Sequence, residues 1–164
     1  MMSTVSEKRG TAIFVDVQNI YYTTQHAFDR KFDYRKLWDK LSSESEIVTA
    51  NAYAIHRGDE QQLSFQNALR RIGFTVKLKP FIQRGDGSAK GDWDVGITID
   101  VLDCAPKVER IVLLSGDGDF ALLLDTLKVK YHVTTEVYGV RALTADSLIN
   151  SASFFNEITE TLLI

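Results

Sequence analysis

The amino-acid sequence predicts an α/β fold in which helices pack against a mainly parallel sheet. Two observations carry that prediction. Apolar runs of strand length alternate along the chain with stretches of helical period, the pattern of strand–helix–strand units joined by right-handed crossovers. The first run, "TAIFVDV", is apolar on both faces, as a strand in the middle of a parallel sheet is. With 164 residues, 45% of them hydrophobic and 25% charged, the chain can bury one core of ordinary composition. It reads as a short flexible tail over 1–10 and a single domain over 11–164.

Taken in order, residues 11–17 form the first strand, and "DYRKLWDKLSSE" (33–44) is helical with Asp33 at its N-cap. Residues 46–55 are the second strand. In "DEQQLSFQNALRRIG" (59–73), Phe65, Ala68, Leu69 and Ile72 recur at helical spacing and Gly73 ends the helix. In the third strand, "FTVKLKP" (74–80), Lys77 and Lys79 alternate with Val76 and Leu78, which suits a sheet edge. "QRGDGSAKG" (83–91) is a polar, glycine-rich loop. "DWDVGITIDVLDC" (92–104) reads as a helix, although Val95, Ile97 and Ile99 also permit a strand. Further strands fall at 109–115, 132–140 and 154–158, with helices at about 117–130 and 144–151.

One cysteine, Cys104, excludes an intramolecular disulfide and a cysteine-rich zinc site, which makes a reducing cytoplasm the expected location. The polar start "MMSTVSEKRG" has no signal-peptide core, and no run approaches the roughly 18 apolar residues of a membrane span. The net charge of −3 is unevenly spread. From Arg70 to Lys90 six basic residues face one acid, so that segment carries +5 and the remainder −8. A local basic wall on an acidic chain suits an anionic polymer docking in one place.

In a doubly wound sheet, ligands bind at the carboxyl ends of the strands where the strand order reverses. Asp16 closes the first strand and Asp117 follows the fourth, so a reversal between those strands would make them neighbours. Asp16 sits between Val15 and Val17, where an unpaired carboxylate costs several kcal/mol. In "SGDGDF", Asp117 and Asp119 are flanked by Gly116 and Gly118. As a helix cap Asp117 would not need both glycines, which suggests clearance for a close-approaching group. Gly116-x-Gly118-x-x-Ala121, with Glu136 20 residues on, also has dinucleotide-turn spacing, but two acids there would repel a pyrophosphate. On a helix Asp94 faces with Thr98, and Asp100 points about 120° away. Asp16, Asp94, Asp117 and Asp119 together form a hard oxygen set without His or Cys, suited to Mg²⁺ or Mn²⁺.

"FVDVQNIYY", "KGDWDVGITIDVL" and "LLSGDGDF", in this order, resemble the NYN family of PIN-like nucleases, in particular its bacterial LabA-like branch. The resemblance spans about residues 11 to 160. It implies a three-layer, Rossmann-like sheet and metal-dependent hydrolysis of RNA phosphodiesters. Asp16, Asp94, Asp117 and Asp119 match the family's acids and would be both catalytic and metal-holding, with one or two ions. Asn19, Asp100 and Ser115 would stand behind them. Gly118 occupies a position where the family often has serine. The expected partner is single-stranded RNA, its backbone held by Lys77, Lys79, Arg84 and Lys90, with 83–91 as a lid. Two alternatives stay open: an RNA-binding or regulatory module that hardly cleaves, and a small-molecule phosphohydrolase.

Overall fold

A computed structural model describes residues 8–56, 58–80, 82–83, 89–90 and 92–164. The strands in chain order are β1 (Thr11–Asp16), β2 (Ile47–His56), β3 (Thr75–Pro80), β4 (Ile82–Gln83), β5 (Ala89–Lys90), β6 (Arg110–Leu114), β7 (Thr134–Gly139) and β8 (Phe154–Glu157). Six of them form one sheet of order β3-β2-β1-β6-β7-β8, in which every pairing is parallel. The chain therefore winds outward from β1 in one direction, then restarts at β6 and winds outward in the other. The reversal falls between β1 and β6, where Val15, next to last in β1, pairs with Leu114, the last residue of β6. β3 lies at the edge, as its lysine alternation predicts.

Helices cover both faces, because consecutive side chains of a buried strand point to opposite sides. Ile13 and Val15 pack with Ile20 of α1 (Val17–Phe28), Leu37 and Leu41 of α2 (Tyr34–Glu44) and Leu69 of α3 (Glu60–Ile72). Ala12 and Phe14 pack on the other face with Ile97 and Val101 of α4 (Asp94–Cys104). Leu123 of α5 (Ala121–Thr126) and Leu148 of α6 (Asp146–Ser151) complete that layer. The result is the three-layer, Rossmann-like arrangement that the sequence predicts. Asp33 caps α2 by accepting the Lys36 N–H, also as expected.

Four local differences matter. The sequence pattern does not announce α1, since "QNIYYTTQ" is rich in strand-forming Tyr and Thr. Tertiary packing decides in favour of helix: Val17, Ile20 and Thr24 lie buried at i, i+3 and i+7, and the Thr23 and Thr24 hydroxyls donate to helix carbonyls. Residues 92–104, open to either state, are helical from Asp94, because α4 must bury Ile97 and Val101 one turn apart. The glycine-rich segment contributes a two-stranded antiparallel ribbon, β4 with β5, while 84–88 lie outside the described residues. The expected tail falls mostly outside them too, but Gly10 is buried at φ +75, where a Cβ would meet the Glu46 carbonyl oxygen at 2.6 Å.

Candidate metal centre

The strand-order reversal brings the acids together from three elements. Asp16 ends β1, Asp94 is the first residue of α4, and Asp117 and Asp119 lie in the turn after β6. One carboxylate oxygen from each of Asp94, Asp117 and Asp119 lies within 4.8 Å of the others. Asp16 stands beside this trio rather than in it, close enough for its charge to act on Asp94.

Hydrogen bonds tie the turn after β6 to β1 and α1. The buried Ser115 hydroxyl donates to Asp16 Oδ2 at 3.0 Å and accepts the Asp117 N–H at 3.1 Å. Asn19 Oδ1 accepts the Gly116 N–H at 2.9 Å, joining α1 to the turn across the reversal. Ser115 and Asn19 thus bond to Asp16 and to the turn that carries Asp117. Asp117 Oδ1 also accepts the Asp119 N–H at 2.9 Å, so its capping role persists beside its place in the cluster.

The N-terminus of α4 is fixed by Trp93, which sequence reasoning did not assign a role. Its indole N–H donates to the Ala54 carbonyl at 2.9 Å, and its ring lies 5.2 Å from that of Tyr53. Gly96 leaves room for the ring, since a Cβ there would sit 2.6 Å from it. Lys79 covers the outer face at 4.5 Å and donates to the Asp92 carbonyl. The one sequence signal was an aromatic wedged between two acids.

Crowding shows in the electrostatics. Burial pushes the Asp16 carboxyl up to about 6; the Ser115 hydroxyl and the Asn19 backbone N–H offset part of this, and Asp117 and Asp92 add to it. The Asp94 carboxyl is pushed up to about 7, first by burial, then by its hydrogen bond to Asp117 and the charges of Asp117, Asp92 and Asp16. Carboxylates that hold protons so tightly are poorly neutralised by the protein itself. The donors are all hard oxygens, and the cluster contains no His or Cys. That chemistry fits Mg²⁺ or Mn²⁺, held by Asp94, Asp117 and Asp119 with Asp16 adjoining.

The structure also shows the partners of other residues singled out in the sequence. Asp100, expected behind the acids, is not part of the trio. It accepts from Lys77 Nζ and from the Tyr53 hydroxyl, each at 2.7 Å, and the Lys77 ammonium holds its carboxyl below the usual range against the opposing effect of burial. Lys77, expected on an RNA backbone, is therefore engaged in an ion pair between β3 and α4. Gly116 and Gly118 serve packing rather than ligand clearance: a Cβ at 116 would meet the Leu143 carbonyl at 2.6 Å, and one at 118 the Ala145 Cβ at 2.9 Å. Glu136 is bound by Arg110 and Asn156, which closes the dinucleotide reading. Arg84 lies outside the described residues, and Lys90 is placed by its backbone opposite Ile82.

A doubly wound parallel sheet with a cluster of acids at its reversal is the arrangement of a PIN-like fold. The chain belongs to the NYN domain family, a family of PIN-like nucleases, and matches its family model over residues 10–159. It is 30% identical over 158 residues to the "Low amplitude and bright protein LabA" of Synechococcus elongatus, covering 91% of this chain and 83% of that protein. This agrees with the LabA-like branch. A crystal structure of a protein of unknown function from Vibrio parahaemolyticus is 49% identical and matches at a TM-score of 0.91 over 100% of both chains. Among the described residues no helix is long and apolar enough to cross a membrane.

Proposed function

We propose that this protein is a metal-dependent ribonuclease whose 11–164 domain hydrolyses RNA phosphodiester bonds in the cytoplasm. The observation that carries the reading is the convergence of Asp94, Asp117 and Asp119 within 4.8 Å at the sheet's reversal, with Asp16 alongside. A Mg²⁺ or Mn²⁺ ion there supplies Lewis-acid polarisation of phosphoryl oxygens and eases deprotonation of water. The chain's own residues do the positioning. Ser115 and Asn19 hold Asp16 and the 116–119 turn in register, and Trp93 sets the first turn of α4, so that Asp94, Asp117 and Asp119 converge with Asp16 alongside. The partly buried Asp16 carboxyl takes up its proton as pH falls through about 6. Single-stranded RNA is the proposed substrate, because its flexible backbone can approach acids at strand ends, and its charge suits the basic segment containing Lys79, Arg84 and Lys90.

The test compares the full-length protein with Asp117→Asn on single-stranded RNA, in Mn²⁺ and in chelator. The expected result is cleavage by wild type in Mn²⁺ and a loss of about 100-fold or more in the variant and in chelator, on the scale of losing one electrostatic stabiliser of a transition state. Equal, negligible cleavage with retained RNA binding would instead make the protein an RNA-binding or regulatory module. Turnover of phosphomonoesters in place of RNA would make it a small-molecule phosphohydrolase.

A further inference from the structure

A second feature lies beside the carboxylate cluster, on the α1 side of the sheet. A cavity of about 380 Å³ opens between α1, the start of α3 and the carboxyl end of β2. Its floor is aromatic: Tyr34 packs edge-on against Phe32 at 4.9 Å and lies 5.9 Å from Phe65. Tyr21 and Tyr22, 55% and 63% exposed, stand at its α1 side. Within it lies Gln66, only 3% exposed, whose amide has no hydrogen-bond partner among the described residues. Among those residues no side-chain nitrogen or oxygen that is fully sealed from solvent lacks a partner, so the little exposure Gln66 has lies at its amide, towards the cavity. A buried amide costs free energy unless something bonds to it, and the cavity is where such a partner can stand.

The cavity and the cluster share a wall. Val17 and Gln18, which line it, directly follow Asp16, and Ala54 and Ile55 follow Tyr53, the β2 partner of Asp16. Burial holds the proton on the Tyr34 hydroxyl, and the Asp16 charge adds to this. Flat aromatic surfaces and a carboxamide that both donates and accepts are what recognise the ring and edge of a base in an unpaired strand. The volume admits one nucleoside and no duplex.

We propose that this cavity binds one nucleobase of the RNA strand whose backbone passes the carboxylate cluster, with Gln66 reading the base edge and Tyr22 supplying a stacking face. The inference rests on the reading of the protein as a ribonuclease, and makes the cavity the source of its base preference. A strand can then be held by one base while its neighbouring phosphate reaches the acids.

The experiment uses the full-length chain carrying Asp117→Asn, so that bound RNA survives, and measures affinity in Mn²⁺ for oligo(A), oligo(U), oligo(C) and oligo(G) hexaribonucleotides. Gln66→Leu and Tyr22→Ala are added to that background; Tyr22 is exposed, so its replacement leaves the core intact even if the buried change does not. The expected result is a preference among the four hexamers, about ten-fold weaker binding in Tyr22→Ala, and loss of the preference in Gln66→Leu. Unchanged affinity and unchanged preference in a folded Tyr22→Ala would overturn the proposal. The two readings fail separately. If the protein with its native Asp117 does not cleave RNA while Tyr22→Ala still weakens binding, the cavity assignment stands without the nuclease. If it cleaves and both variants bind normally, the nuclease stands without the cavity.

Discussion

Replacing Asp16 by asparagine should stabilise this protein in the absence of metal, and do so only above acidic pH. The Asp16 carboxyl is raised from 3.8 to about 6 because burial removes its water. The folded state therefore binds the proton more tightly than the unfolded chain. Whatever stability this provides is fully present below about pH 4 and is lost as pH rises through 6. Above that, the ionised form costs about 2 pKa units, or about 3 kcal/mol, before any relaxation. The asparagine would keep the shape and could still accept the Ser115 hydroxyl, without the charge. In a chain of this length each kcal/mol moves Tm by about 2–4 °C, so Asp16→Asn should melt about 6–12 °C higher than wild type at pH 7.5. At pH 4 the two should coincide. Thermal melts followed by circular dichroism in chelator, at half-unit steps from pH 4 to 8, give the comparison. Asp94, raised to about 7 and more exposed, should extend the wild type's decline towards pH 7. Mn²⁺ should return the lost stability to wild type at pH 7.5. A gap independent of pH, or no gap at pH 7.5, would refute the claim that Asp16 is a destabilising, partly buried charge.

Gly116→Ala should cost more than Gly118→Ala in denaturant melts. The first sets a Cβ 2.6 Å from the Leu143 backbone oxygen and the second 2.9 Å from a side-chain methyl, so about 3 and 1 kcal/mol are expected. Asp100→Asn should cost about 1 kcal/mol through loss of the partly exposed Lys77 pair, and should leave Mn²⁺ affinity within about two-fold, since Asp100 is not part of the trio. A Mn²⁺ affinity falling ten-fold in Asp100→Asn, read by isothermal titration, would return that residue to the metal centre.

How much of this was legible in the sequence differs by element. β1 could be read because a strand covered on both faces must be apolar at every position, and Ala12 to Val15 are. The edge position of β3 followed from its alternating lysines. α1 could not be read, because strand propensity in "IYYTT" outweighs a short three-point apolar stripe until Val17 and Ile20 have a sheet to lie on. The acids were conspicuous one by one, yet their grouping hung on a topological fact, the reversal between β1 and β6. Asp100 shows the limit plainly. Helical spacing placed it away from Asp94, but its partners Lys77 and Tyr53 come from strands 23 and 47 residues away, and spacing along one helix cannot see them.

What the sequence alone determined was the fold class, the acids at the carboxyl ends of two strands, and the hard-oxygen character of the donor set. These are local properties: period, residue type and strand termini. The tertiary structure decided which acids meet, that Asp16 adjoins the trio, that the two glycines make room for the loop at Leu143–Ala145, and that Gln66 ends buried at a cavity wall. Those depend on contacts between residues far apart in the chain. No pattern within one segment encodes such contacts, because they are fixed only when separate elements pack against a common sheet.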